Sequence, residues 1–352
     1  MFANVIVVES FYLWGKGSSI PLEFLTGLYL AMRLIDTSDK RKLFGLAIVA
    51  VNLIFCFDVM FRPHFYLLGW NTSLDNGNAV SLYSLLMMPF FFSYAFWFFE
   101  KKVVLKYVLP VASLMLIVFS FSSGGWLTAF FQIIIFIGYS MAIKKISIKS
   151  FFMFLVILLI LLTVSPHFLG KEYLASFKRE FDQITAMNDS QTMTNHRIYT
   201  WKAGVILARD HMLVGNGWAT FEGNFVKNFE YLKKKVNYDG TVYFVQPHNM
   251  YISILYAGGL PAFFLFMAAF IMSTIKTWSG LKRGSLNTSI PWDLICFILM
   301  VSMAVYGTNG DVFEARRDLG VIFWASWGVL LMLPENCAQK TEGDQNENTA
   351  LC

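Results

Sequence analysis

Charged residues are scarce in this sequence: only 14% of its 352 residues are Asp, Glu, Lys or Arg, against about 25% in soluble domains. With 56% hydrophobic and 17% aromatic residues, that shortage argues against a water-soluble enzyme and against a disordered chain. Cysteine is sparse as well. Cys56 and Cys296 fall in apolar stretches, Cys337 and Cys352 in the C-terminal tail, with no spacing that suggests a disulfide framework or metal knuckle. There is no Walker A loop, HExxH, CxxC or GxSxG, and no acidic D-x-D pair in the long polar stretch. These absences count against ATP hydrolysis, zinc proteolysis and metal-dependent sugar-nucleotide transfer. No internal repeat is visible, which counts modestly against a transporter. The N-terminal MFANVIVVES has neither a basic region nor a small-residue cleavage site, so a cleaved signal peptide is not expected.

What is abundant is apolar sequence in blocks of membrane-spanning length. Spans are expected at about 2–14, 19–35, 43–60, 80–98, 104–121, 125–142, 150–167, 249–274, 292–309 and 318–334, most near the roughly 20 residues that cross the hydrocarbon core. The expected fold is all-α: a polytopic helical membrane protein of about ten transmembrane helices. Its parts are an N-terminal transmembrane bundle (1–167), a loop with helical segments (168–247), C-terminal transmembrane helices (248–334) and a flexible tail (335–352).

Loop charge orients these spans. Lys40, Arg41 and Lys42, then Lys101, Lys102 and Lys106, then Lys144, Lys145 and Lys149, then Lys276, Lys282 and Arg283 all fall on one side if ten spans alternate. The positive-inside rule makes that side cytoplasmic. Both termini are then cytoplasmic, and the loop 168–247 is external, which means periplasmic in a Gram-negative inner membrane. The net charge of +5 is explained by basic loops beside anionic lipid, and no nucleic-acid partner is expected.

A structureless loop as long as 168–247 would be unusual. Within it, Arg197–Arg209 has Ile198, Trp201, Val205 and Leu207 or Ala208 near helical spacing. Residues 211–218 read as a turn, with Gly215 and Gly217 permitting tight backbone geometry. The helix either lies flat on the membrane or belongs to an external substrate-binding lid, and the size of the loop favours the lid.

His248 stands where the loop re-enters the membrane, after Pro247, which suits a first helical turn. It either exchanges a proton near neutral pH or faces headgroups. Asn249 beside it is a candidate for orienting a substrate hydroxyl or carbonyl. Arg197 and Arg209 are suited to phosphate oxygens or are ordinary solvated arginines. Asp311, Glu314, Arg316, Arg317 and Asp318 cluster on the same outer side. Charge at a membrane boundary is costly unless paired, hydrated or used, so a phosphate site and a structural ion pair both fit. The Phe-rich stretch Pro89–Phe99 is read as lipid-facing packing.

In about 190–275, and more weakly to about 335, the chain resembles the O-antigen ligase and polymerase superfamily of bacterial envelope polysaccharide synthesis. The resemblance lies in NHRIYTWKAGVILARDHMLVGNGWATF, matching at Arg197, Trp201, Gly215 and Gly217. It lies also in HNMYISILYAGGLPAFFLF, matching at His248, Asn249, Gly258 and Gly259, and in GDVFEARRDLGVIFW, where Asp311 and Arg316 resemble the segment before the last helix of lipid A-core ligases. One departure is that Gly124, after Ser123, stands where the family often has arginine. Arg62 or an arginine of the long loop would be the compensating residue.

The resemblance implies glycosyl transfer on the outer face of the inner membrane. The donor would be an undecaprenyl-diphosphate-linked glycan, and the acceptor a sugar hydroxyl of lipid A-core (ligase) or a second lipid-linked glycan (polymerase). Membrane lipids would surround the site. No cofactor and no metal are expected, because arginines can neutralise charge on the leaving diphosphate. His248, Arg197 and Arg316 would be catalytic. Arg209, Arg317, Asn249 and Asp311 would bind substrate, and Gly215, Gly217 and Gly258 would shape turns. A transporter or flippase of lipid-linked glycan is the alternative of a different class.

Overall fold

The computed structural model describes residues 11–61, 77–147, 197–238, 243–283, 290–311, Phe313 and 317–333, with isolated positions between 149 and 178. Among the described residues there are helices and no strand. In chain order the helices are α1 (Phe11–Leu34), α2 (Ser38–Phe61), α3 (Gly77–Ser93, continued by a π-helical turn Tyr94–Phe98), α4 (Val103–Phe119) and α5 (Ser123–Ala142). Three short outer helices follow, α6 (Arg197–Arg209), α7 (Phe221–Lys227) and α8 (Phe229–Val236). The last three are α9 (Met250–Arg283), α10 (Trp292–Tyr306) and α11 (Arg317–Leu331). Gly77–Phe98, Ser123–Ala142 and Met250–Lys282 are long and apolar enough to cross a membrane. The all-helical polytopic architecture is that expected of the composition.

α3 is the hub. Every residue from Ala79 to Phe96 is buried, because α2, α4, α5, α10 and α11 all pack on it. A helix apolar on every side must be enclosed rather than amphipathic. This corrects the lipid-facing reading of Pro89–Phe99: Phe90, Phe91 and Phe92 are interior, and Phe92 meets Phe136 of α5 with ring centroids 5.0 Å apart. Gln132 of α5 ties the hub together by donating from Nε2 to the Leu85 carbonyl (2.8 Å) and to Ser302 Oγ of α10 (2.6 Å).

A second correction concerns the start. The expected spans 2–14 and 19–35 do not have a break between them, since α1 is continuous from Phe11 to Leu34. Glycine and serine at 15–19 weaken a helix but do not end it where only the helix can satisfy the backbone. α1 runs parallel to α11: Gly27 lies against Val321, and Gly328 against the Leu28 carbonyl and Ala31. The span expected at 150–167 and the tail 335–352 lie mostly or wholly outside the described residues.

The bundle has two chemically different ends. At one, Lys145 meets Glu100, Phe44 stacks with Trp292 and Lys276 Nζ donates to the Leu331 carbonyl. At the other, Ser122 meets Asn78 and Tyr306 Oη donates to the Asn78 carbonyl. The Met250 N–H there donates to the Gly307 carbonyl. On this second end sits a small separate core of Ala203, Leu207, Phe221, Phe225, Leu232 and Phe244, built on Tyr256 and Ala257 of α9.

Candidate functional site

α6 occupies the expected residues Arg197–Arg209 but turns a different face inward. The buried stripe is Thr200, Ala203, Gly204, Leu207 and Ala208, while Ile198, Trp201 and Val205 are only half-buried. Small residues win the interface because they let α6 approach α9 closely. A Cβ on Gly204 would stand 2.7 Å from Ile252 Cγ2.

α9 breaks at Gly259 (φ 72°, ψ −175°), a conformation only glycine adopts readily. The turn 211–217 fills the break. Asn216 and Gly217 donate their N–H groups to the carbonyls of Tyr256 (2.8 Å) and Ala257 (3.0 Å), and Leu260 donates to the Met212 carbonyl (2.7 Å). Gly215 and Gly217 have φ of 72° and 87°, and a Cβ on Gly215 would lie 2.3 Å from the Ala257 carbonyl oxygen. Gly258 is held against Ala262, whose Cβ would be 2.5 Å from any Cβ added there. The turn and the glycine pair therefore form one interlocked joint.

The top of α9 is fastened to residues 307–311. The Met250 N–H donates to the Gly307 carbonyl (2.8 Å), Asn249 Nδ2 to the Thr308 carbonyl (2.9 Å) and Arg197 Nη1 to the Asn309 carbonyl (2.6 Å). Asp311 is buried. Its Oδ2 accepts from Ser253 Oγ and its Oδ1 from the Phe313 N–H (2.8 Å). Arg197, His248, Asn249 and Asp311, far apart in sequence, thus meet around one turn.

His248 has a left-handed backbone (φ 52°), uncommon for a non-glycine residue and frequent at functional sites. It is partly buried, and Gln246 Nε2 lies 3.4 Å from its Nδ1. Burial first, and the Arg197 guanidinium second, pull its pKa down to about 4. The ring is therefore neutral at physiological pH and able to accept a hydrogen bond or a proton.

Asn249 has a different occupation from the one expected. Its Oδ1 accepts the N–H groups of Tyr251 (3.0 Å) and Ile252 (3.1 Å), capping α9. Its Nδ2 donates one of its two N–H groups to the Thr308 carbonyl. It positions His248 through the backbone, and Pro247 precedes the cap instead of entering the first turn. Arg209 is exposed at the far end of α6, about 18 Å along the axis from Arg197, so these two arginines do not share the site. Arg317 begins α11; its side chain and all of Arg316 and Glu314 lie outside the described residues.

Sequence reasoning missed Ser253 and the carbonyls of residues 307–309. The spacing of Asn249 and Ser253 on one helix face was a usable signal for the first. Carbonyls leave no trace in residue identity. Gly124, expected from the resemblance to be a departure, faces Asn309: its Cβ would lie 3.6 Å from Asn309 Cβ. Arg197 therefore brings a guanidinium to the residue that Gly124 faces.

No curated protein matches the chain. Residues 108–267 match the family model described as O-antigen ligase. That range takes in most of α4, all of α5 to α8, the upper part of α9, and Arg197, Gly215, Gly217, His248, Asn249 and Gly258; Asp311 and Arg317 fall beyond it. This match, over a little under half of the chain, supports the O-antigen ligase superfamily and a ligase- or polymerase-like function in general.

Proposed function

We propose that this protein is a glycosyltransferase of the O-antigen ligase kind. It moves a glycan from undecaprenyl diphosphate to a sugar hydroxyl of lipid A-core at the outer face of the bacterial inner membrane. The observation that carries the reading is the neutral, left-handed His248 beside Arg197 at the end of the bundle opposite the basic loops. The diphosphate is already a good leaving group, so the site must align the acceptor, take its proton and stabilise developing negative charge. Arg197 supplies positive charge preorganised by Asn309, with Arg316 and Arg317 as further expected phosphate contacts. His248 accepts the hydroxyl proton or orients the hydroxyl. Direct displacement inverts the anomeric centre, and neither metal nor ATP is invoked. Asp311 holds Ser253 and the chain leading into α11.

The charge rule, applied to the observed helices, keeps the basic ends cytoplasmic and the α6–α8 unit periplasmic. With α1 continuous, the same alternation changes one detail: Phe11 falls on the outer side, in keeping with the parallel packing of α1 and α11. A lipid-linked glycan transporter is disfavoured, because the carbonyls freed at the α9 break are taken by Asn216 and Gly217 and not offered to a substrate.

The test is the lipopolysaccharide profile of a deletion strain complemented with wild type or His248→Ala. Bare lipid A-core with accumulated lipid-linked polymer, not rescued by His248→Ala at normal protein level, is the expected result. Core bearing a single repeat unit would make the protein a polymerase. An unchanged profile would overturn the transfer reading for this glycan.

A further inference from the structure

At the end of the bundle opposite His248, the π-helical turn Tyr94–Phe98 closes the buried hub helix α3. Such turns are rare and often functional. Three lysines from three different segments settle on its successive rings. Lys42 of α2 lies 4.9 Å from the Phe98 centroid. Lys106 of α4 lies 5.5 Å from Phe96. Lys145, just after α5, lies 5.8 Å from Trp97. All three are half-buried, so each stem lies along apolar surface while the aromatic face fixes the ammonium.

Among the described residues, the carboxylate seen bonded to this group is Glu100, which accepts from Lys145 at 2.7 Å. That bond first, then the charges of Lys145, Lys106 and Lys101, hold its carboxyl below the usual range against an opposing effect of burial. Asp36 is engaged by Lys40, and Asp293 packs against Gly280. Positive charge is therefore in excess around the turn. Beside these lysines in the chain, Leu43, Val103, Val104 and Met141 are exposed. Cations fixed on aromatic rings, with exposed aliphatic side chains next to them in the chain, match a molecule with an anionic head and acyl chains.

From this juxtaposition we infer that Lys42, Lys106 and Lys145, seated on Phe98, Phe96 and Trp97, bind the phosphate headgroup of an anionic phospholipid of the cytoplasmic leaflet. The inference rests on the proposed orientation for the leaflet, and on the structure alone for the site. A free phosphate would use the lysines but leave the aliphatic flank uncovered.

Purified full-length protein in detergent is offered equal amounts of phosphatidylglycerol and phosphatidylethanolamine, and retained lipid is read by native mass spectrometry. Wild type should prefer the anionic lipid about ten-fold or more. Lys42→Gln/Lys106→Gln/Lys145→Gln should lose that preference, while Lys42→Arg/Lys106→Arg/Lys145→Arg should keep it. Lys233→Gln/Lys234→Gln/Lys235→Gln on α8 should also keep it. If the glutamine triple does not fold, Lys106→Gln alone should lower the preference about three-fold. Equal retention of both lipids by wild type, or an unchanged preference in the folded glutamine variant, overturns the inference. Stabilisation by inorganic diphosphate that equals that by the lipid and is lost in the glutamine triple also overturns it, in favour of a soluble anion at the lysines; diphosphate binding that the triple retains belongs to the Arg197 site. Labelling of Lys101→Cys by an impermeant maleimide from outside the cell would overturn the orientation separately, leaving the detergent result to decide the site.

Discussion

His248 should be proton-free far below the pH at which an ordinary histidine titrates. Its pKa of about 4, against 6.5 for the free side chain, means that charging it in the folded, unliganded protein costs about 3 kcal/mol more than in water. At pH 6.5, where a free histidine is half protonated, fewer than about one His248 in a hundred should carry the proton. The assay is glycan transfer by purified protein at limiting donor, whose kcat/KM reports the free enzyme. The rate should stay flat from neutrality to about pH 5 and fall only near pH 4. Arg197→Gln removes the smaller of the two causes, so its acid limb should move upward yet stay below 6.5, because burial remains. A bound diphosphate opposes both causes, so the kcat limb should lie at higher pH than the kcat/KM limb. Stability follows the same linkage. The folded pKa is lowered, so the unfolded chain binds the extra proton between pH 6.5 and 4. The stability contribution is complete above 6.5 and is lost as pH falls through that window. His248→Gln should flatten this part of the melting profile. A wild-type kcat/KM limb centred near 6.5 that disappears in His248→Gln would refute the reasoning.

Gly215→Ala should destabilise by about 2–4 kcal/mol, combining left-handed strain with overlap on the Ala257 carbonyl. Gly223→Ala, where nothing lies within 4 Å of the new methyl, should change stability by less than about 0.5 kcal/mol; melting in detergent compares them, and equal midpoints would dissolve the proposed joint. Asn249→Ala should cost about 1–2 kcal/mol through the lost cap. Asn249→Asp should recover part of that while still losing the donor to Thr308, so an aspartate variant as damaged as alanine would show that the cap is not what Asn249 contributes.

Much of this architecture was legible because hydrophobic length and turn chemistry are local. The ends of α6 could be read directly, and the glycines of the 211–217 turn stand out by type. What could not be read depended on partners. The inward face of α6 is chosen by the closeness of α9, which favours Ala203 and Gly204 over the bulkier Ile198 and Trp201. The run Pro89–Phe99 looks the same whether lipid or helices surround it, since both are apolar. Asn249 has a structural task that its identity does not announce: its amide oxygen caps Tyr251 and Ile252 and one amide N–H holds Thr308. The meeting of Arg197 with residue 309 is a long-range fact, set by the packing of α6 and by a carbonyl that every residue possesses.

The upper part of α9, between His248 and Gly259, is a ruler. Its top is set by the Asn249 cap and the bond from Met250 to Gly307, and its bottom by the glycine joint with residues 211–217. One residue inserted between them would turn one end by about 100° and lift it by about 1.5 Å relative to the other, so both fastenings could not close together. The interval separating the histidine–asparagine pair from the glycine pair is thus fixed by register, whatever side chains fill it. Length variants within this interval should fail where substitutions at its outward positions are tolerated.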